Sequence, residues 1–529
     1  MSTLEGKKVA VIGAGAAGLV SAAILLQNGF EVTVYEKSCN VGGVWNYAES
    51  NAMYESLRTN LPKEIMAFSI DDPFTDADLE SSEPHSFLTH SEVQRYLERY
   101  AHTYNLRQHI KFSHSVEHVY KQVGSHMWTI EVNDGTNITT LYYDAVIVCN
   151  GHFNVPYTPE DTPGFTEYFH GESYHSRQYD KVKEKLSGKN VLVVGSMSSG
   201  TDMARELVTI ATNVYVSDRS STLYEDIHTL YENVAPNLHI LPGMQRIQED
   251  GEIMFTNGTQ HRIDAILWCT GYLYDFPFLS KDHTSGTSGH SATIDNNTGD
   301  VSTTHIADYS HYLPCPVEIE HDRCVRPLYQ QLFAIKDPSL VLMGLPFRVV
   351  PFPLFYFQGT YVVSCLRFIL FCVPTLIPSK ASDICVQNVF HTYLHTILFL
   401  SSSAQYVAAV FSGRASHSSV VEQYEWLKSF ESQLRESGMY TTKYHFLGGP
   451  PQWEYCKFLA EQSGLVASPG KNNGRIESVN TTTSTFCSQE QHAQYLQMLE
   501  SIYDDNMVHR VLYPGAPDTY RERVYSVNR

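Results

Sequence analysis

The first forty residues already show two periods of apolar and polar positions. Lys8-Val-Ala-Val-Ile12 is an apolar run of strand length, Leu19 to Asn28 has helical spacing, and Glu31-Val-Thr-Val-Tyr-Glu36 reads as a second strand. Gly13-Ala14-Gly15-Ala16-Ala17-Gly18 joins strand to helix, and Gly29 breaks the helix. The same order returns further on. Asn190-Val-Leu-Val-Val194 leads into Gly195-Ser-Met-Ser-Ser-Gly200, a helix over Thr201–Thr209 and a strand over Asn213–Ser217. Between the two units, residues 92–108 are amphipathic and helical. Residues 111–148 alternate as a β-meander, with turns at Gly124 and Asp134-Gly135 and a buried strand from Asp144 to Cys149. Pro156, Pro159 and Pro163 mark a linker. Two further strands are expected within residues 250–268, ahead of Thr270-Gly271-Tyr272. Residues 281–300, rich in Ser, Gly, Thr and Asn, read as an exposed loop, and Leu340 to Phe347 as a strand and turn.

A strand, a glycine loop and a helix form a phosphate cradle. Its glycines permit a tight turn and close backbone approach, and the helix start offers N–H groups and partial positive charge. Glu36 lies 18 residues past Gly18, at the end of the second strand, where a carboxylate accepts from ribose hydroxyls. Lys37 follows it. The second loop departs from G-x-G-x-x-G at Met197, whose side chain is expected to crowd a pyrophosphate on the usual path. Arg219 lies 19 residues past Gly200, where a dehydrogenase choosing NAD has an acid. An arginine there pairs with a 2′-phosphate and favours NADPH; Asp218 beside it pulls the other way.

A net charge of −20 argues against nucleic acid or an anionic membrane as partner. The ten cysteines show neither C-x-x-C nor zinc-ligand spacing, so no metal site is expected, and they read as free thiols of a reducing compartment, the cytoplasm. No apolar leader precedes the first strand, so no secretory signal is expected.

The segment between the loops, Phe169-His-Gly-Glu-Ser-Tyr-His175-Ser-Arg177-Gln-Tyr179, fits F-x-G-x-x-x-H-S-R-x-Y, and this resembles the identifying motif of flavin-containing monooxygenases. Gly42-Gly43-Val44-Trp45 and Thr59-Asn60-Leu-Pro-Lys-Glu resemble further elements of the plant-type members. So does the second loop, where Gly195, Ser199, Gly200 and Asp202 match a form with a bulky residue at the position of Met197. The resemblance implies an α/β fold of two Rossmann-like dinucleotide-binding domains, the NADPH domain inserted into the FAD domain. It implies FAD on Gly13–Gly18, Glu36, Lys37, Gly43, Val44, Trp45, Thr59 and Asn60. It implies NADPH on Gly195, Ser196, Ser199, Gly200, Thr201, Asp202 and Arg219. In the family a C4a-hydroperoxyflavin oxygenates soft S or N atoms of a thioether or amine with O2, giving sulfoxides or N-oxides. Asn60 would face flavin and nicotinamide as the catalytic amide; read alone, it caps or satisfies a turn. His175 and Arg177 would orient NADPH or the linker, or His175 merely satisfies backbone groups. Baeyer–Villiger monooxygenases, the near rival, carry Trp-Pro where this chain has Tyr179-Asp180.

The boundaries expected are 1–167 for the first part of the FAD domain, 168–325 for the NADPH domain and 326–529 for the rest of the FAD domain. The family runs on almost without a break between Gln358 and Tyr406, whereas here about 45 residues intervene. Their apolar runs, Leu366–Val373 and His395–Ser403, are too short for a span of about 20 residues, so no firm membrane anchor is expected. The alternatives for residues 359–405 are a translated retained intron or mispredicted exon, which would leave an inactive polypeptide, and a true lid or membrane-touching hairpin. A homodimer stays open.

Overall fold

The computed structural model describes residues 6–47, 52–219, 235–279, 313–320, 323–376, 420–436, 444–447, 450–463, 465, 489–512 and 525. The loop expected over residues 281–300 and the part of the intervening stretch over residues 377–405 lie outside them. Two sheets organise the chain. The first uses β1 (Lys8–Ile12), β2 (Glu31–Glu36), β3 (Ile110–Phe112) and β4 (Ala145–Val148). The second uses β5 (Glu172–His175), β6 (Asn190–Val194), β7 (Asn213–Ser217), β8 (Leu238–Leu241) and β9 (Ala265–Trp268). The chain then returns to the first sheet with β10 (Leu328–Tyr329), β11 (Phe333–Ala334) and β12 (Leu340–Leu342). The orders are β10-β11-β12-β4-β1-β2-β3 and β8-β7-β6-β9-β5. Every pairing in the second sheet is parallel, as are those from β12 to β3 in the first. A second parallel sheet is thus inserted between strands of the first, which is the expected fold class.

Both sheets are buried on both faces, because alternate side chains of a strand point opposite ways. Val9 and Val11 face helices while Ala10 and Ile12 face Trp128, Ile130 and Val132 of the meander. The second sheet repeats this: Val191 and Val193 face Met203 and Leu207, and Leu192 and Val194 face Ile253 and Phe255. The meander forms as expected, over Ser115–Lys121, Trp128–Asn133 and Ile138–Tyr143. The region 250–268 holds three strands rather than two, since Gln260–His261 makes a short extra pairing with Ile253–Phe255.

The helices used below are α1 (Ala16–Gln27), α2 (His90–Thr103), α3 (Ser198–Leu207), α4 (Pro351–Leu376), α5 (Val420–Glu436), α6 (Pro450–Gln462) and α7 (Gln489–Leu512). α2 starts before the expected 92 because Thr89 and Glu92 form a capping box. It stops at Thr103 because Asn105 turns left-handed at φ 52°, and a 3-10 turn over Leu106–His109 follows. α1 is apolar all round because the sheet covers one side and α4 the other. The would-be Cβ of Gly359 sits 3.0 Å from Ile24 Cδ1, so α4 lies close against α1. α4 passes through residue 359, the expected start of the insertion, without a break, and Tyr361, Val362, Val363, Cys365 and Leu366 are buried in the main core. The first residues of the intervening stretch are therefore core helix. Cys39, Cys149, Cys269, Cys365 and Cys456 are free thiols. Among the described residues no helix is long and apolar enough to cross a membrane.

The chain near His445 is fixed by a neutral imidazole. Its Nε2 accepts the Val325 N–H at 3.1 Å and its Nδ1 donates to Gln331 Oε1 at 3.0 Å. Burial pushes the imidazole down to about 3.

Two measurements follow from this packing. Leu366→Ala, at a fully buried site, lowers stability to urea by about 2–5 kcal/mol; a change below about 0.5 kcal/mol would mean that α4 is not core past residue 359. A histidine whose folded pKa is depressed is fully stabilising above its unfolded value near 6.5. That contribution is lost as pH falls towards the folded value. The melting temperature should therefore drop between about pH 6.5 and 4. His445→Gln, which can keep both bonds but cannot titrate, should flatten that limb by up to about 1.4 kcal/mol per pH unit. An unchanged slope would contradict the assignment.

Candidate functional site

The two glycine loops share their turn geometry. Gly13 has φ +104° and Gly195 φ +106°. A Cβ on either would meet a carbonyl oxygen at 2.6 Å, that of Cys149 in one case and Cys269 in the other. Gly13 N–H donates to Tyr35 O at 2.8 Å, and Gly195 N–H to Ser217 O at 2.9 Å. Gly18 and Gly200 then let their helices lie directly on the turn, since a Cβ there would come within 1.9 and 1.8 Å of the oxygens of Gly13 and Gly195. No side chain caps α1 or α3, so their first N–H groups are left for an anion.

Met197 does not crowd its loop. Its backbone, φ −74° and ψ −174°, matches that of Gly15, φ −74° and ψ −175°. This is extended backbone open to any residue, and the Met197 side chain is 55% exposed. The loop backbone thus takes the same course with Met197 as with glycine, and the side chain stands in solvent rather than against the turn. Gly43 covers the first loop: a Cβ on Gly15 would make an ordinary contact with Gly43 Cα at 3.5 Å, whereas one on Gly43, at φ +58°, would press on Gly15 Cα at 3.0 Å. Gly43, Val44 and Trp45 form a 3-10 turn over that loop, and Trp45 sets its ring edge-on to Phe352 at 6.3 Å.

Glu36 is buried. Its Oε2 accepts the Ala14 N–H at 2.7 Å and its Oε1 the Ser38 N–H at 2.8 Å. Each oxygen keeps a second lone pair, enough to accept a ribose hydroxyl. Lys37 is exposed. In the second unit the matched bonds Gly13–Tyr35 and Gly195–Ser217 set Asp218, not Arg219, at the place of Glu36. Arg219 takes the place of Lys37 and is exposed, its Cγ 3.4 Å from a would-be Cβ on Gly243. Ser196 O accepts from the Thr201 hydroxyl at 2.8 Å, which braces the second turn.

The segment 54–60 bridges the two units. Asn60 Nδ2 donates to Ser198 Oγ, on the first turn of α3, at 2.8 Å. Tyr54 donates to Asp202 Oδ2 at 3.3 Å and Ser56 to Glu206 Oε1 at 2.5 Å. Asp202 thus faces this segment, with Arg205 3.5 Å away on its other oxygen. Thr59 is spent on structure: its hydroxyl accepts the Leu88 N–H at 2.9 Å. Ser199 and Gly200 continue the first turn of α3. Ser198 escaped notice in the sequence because it occupies a variable place in the loop pattern.

The 169–179 segment ties down both crossings between the units. Outbound Val155–Pro156 pairs antiparallel with returning Tyr272–Leu273. Arg177 Nη1 donates to the carbonyls of Phe153 and Asn154 at 3.1 and 2.6 Å. His175 Nε2 donates to Gly271 O at 3.0 Å while its Nδ1 accepts the Arg177 N–H at 3.2 Å, which fixes the tautomer. Burial pushes this imidazole down to about 4, so it is neutral. Of the alternatives for these two residues, holding the linker is the one the geometry displays. Among the described residues no cluster of His, Cys, Asp or Glu could hold a metal.

Residues 6–228 match the flavin-binding monooxygenase-like family. The chain is 31% identical to flavin-containing monooxygenase FMO GS-OX-like 2 of Arabidopsis thaliana over 481 residues, 86% of this chain and 84% of that one. It is 33% identical to FMO GS-OX-like 6 of the same plant, over 69% of this chain and 73% of that one. Among solved structures, the S-allyl-L-cysteine S-oxygenase of Allium sativum shares the fold at a TM-score of 0.68 and 25% identity, with 98% of this chain and 95% of that one covered. The chain belongs to the flavin-containing monooxygenase family and is an oxidoreductase working with FAD, NADP and O2 on a small molecule.

Proposed function

We propose that the protein transfers one oxygen atom of O2 to a soft nucleophilic sulfur or nitrogen of a small thioether or amine, at the expense of NADPH. Bound FAD would supply hydride acceptance and oxygen activation, which protein side chains cannot. The chain's own groups bind, orient and shield. Gly13–Gly18 and Glu36 take the adenosine diphosphate half of FAD, with Lys37 beside it and Gly43, Val44 and Trp45 closing over the loop. Gly195, Ser196, Ser199, Gly200, Thr201 and Asp202 form the NADPH cradle. Arg219, exposed at its rim, is suited to a 2′-phosphate, and Asp218 to a ribose hydroxyl.

The observation that carries this reading is Asn60. Its side-chain amide belongs to the first unit yet reaches the first turn of the helix that opens the second cradle. An amide there can donate and accept where flavin and nicotinamide meet. We assign it the catalytic role, with Thr59 holding the segment beside the flavin. A thioether or an amine lone pair attacks an activated oxygen directly, so no nucleophile or metal of the protein is required. Sulfur is favoured over a ketone by the likeness to an S-oxygenase and by Tyr179 at the end of the motif. The unbroken core helix α4 supports an intact FAD domain over a disrupted one. Unpaired thiols suit a reducing compartment such as the cytoplasm.

The purified protein should be yellow. With NADPH, ¹⁸O₂ and S-allyl-L-cysteine as probe, mass spectrometry should show a sulfoxide carrying one labelled oxygen. NADPH oxidised only to hydrogen peroxide, across thioether and amine probes, would count against oxygenation. Arg219→Ala should raise KM for NADPH roughly tenfold to a hundredfold, the loss of a charge-assisted bond of about 1.5–3 kcal/mol, and leave KM for NADH near its starting value. Equal effects on both coenzymes would remove the 2′-phosphate role.

A further inference from the structure

The neighbours of Asn60 are fastened to residues 86–88. Thr59 N–H donates to Leu88 O at 2.7 Å, and Lys63 N–H to Ser86 O at 2.7 Å. The Asn60 carbonyl is held from the far end of the chain: it accepts from Asn506 Nδ2 at 3.2 Å. Asn506 stands on α7 and is 0% exposed. That helix is seated by Leu499 and Tyr503 in the main core, and by Tyr495, whose hydroxyl donates to Ala67 O at 3.3 Å. The other end of the amide, Oδ1, is buried with no partner among the described residues. A buried acceptor without a partner costs about 1–3 kcal/mol, which an apolar side chain would not incur. The single bond to Asn60 is what the fold obtains from an amide at this place.

We propose that Asn506 is a positioning residue for the oxygenation: by fixing the Asn60 peptide plane it aims the Asn60 side chain at Ser198 and the second cradle. With the chain on its other side fastened through Thr59, holding that plane restricts the Asn60 ψ and with it the direction of Cα–Cβ, and displacements near 1 Å are enough to impair a reacting geometry. The proposal rests on the catalytic reading of Asn60. Its signal would be coupling, the share of NADPH that ends in product, because a misaimed amide fails to protect oxygen transfer without emptying either cradle.

Two variants separate aim from mere packing. Asn506→Leu keeps the branching and removes the donor. Asn506→Asp keeps the shape, and its carboxyl donates to the Asn60 carbonyl only while protonated. In Asn506→Leu, sulfoxide formed per NADPH should fall several-fold and hydrogen peroxide rise, with FAD content unchanged. Hydrogen exchange of the 59–64 peptide, followed without coenzyme, should quicken. In Asn506→Asp, coupling should approach that of the parent protein at low pH and decline as pH rises, a trend the parent lacks. In an Asn60→Ala background, Asn506→Leu should change coupling no further. Parental coupling and exchange in Asn506→Leu, a flat profile in Asn506→Asp, or a further loss in the double variant each overturn the proposal. Should Asn506→Leu fail to fold, the pH profile of Asn506→Asp decides. A parent protein that makes no sulfoxide or N-oxide speaks against the oxygenase reading instead, and hydrogen exchange still reports whether Asn506 holds residue 60.

Discussion

Everything in this molecule depends on how closely a helix can approach the turn in front of it. At Gly18 and Gly200 that approach leaves no room for even one carbon atom, since the oxygens of Gly13 and Gly195 occupy the space. The contact sets each helix on its strand end with its first N–H groups facing outward. It also lets two sheets of different strand count carry the same cradle. Remove the contact and neither helix start would face a phosphate, whatever side chains surrounded it.

The second requirement is that the two cradles face each other at a fixed distance. Three sets of bonds accomplish this. Residues 54–60 run along α3, Arg177 and His175 hold the two crossings, and α7 reaches back to the Asn60 carbonyl. Half of these place a side chain on the backbone of another segment, so they constrain direction as well as distance. The motif that identified the family is thus mostly about joinery: its histidine and arginine serve carbonyl groups of the connecting strands.

Local features were legible in the sequence and remote ones were not. The βαβ openings and the meander followed from period and glycine spacing, because those effects act within a few residues; the insertion of one dinucleotide unit into the other came from the family resemblance. That the backbone at Met197 would match that of Gly15 was not legible, since the letter pattern does not give φ and ψ. Counting residues alone set Arg219 at the place of the acid; the strand register gives that place to Asp218. Asn506 carried no signal at all. It is one polar residue in a helix more than 400 positions from its partner, and only the fold brings the two together. The start of the intervening stretch at residue 359 was drawn by likeness to relatives, yet the buried faces of Tyr361 and Leu366 continue the helix begun at Pro351.

The paired crossings carry an architectural corollary. Val155–Pro156 and Tyr272–Leu273 lie side by side as a ladder, so the polypeptide leaves the unit of the first sheet and re-enters it through the same doorway, a strand's width apart. A module whose two ends meet in this way is topologically a detachable loop: the host lobe could be sealed by a handful of residues, and the covalent link to the guest is a single ribbon rather than two separated tethers.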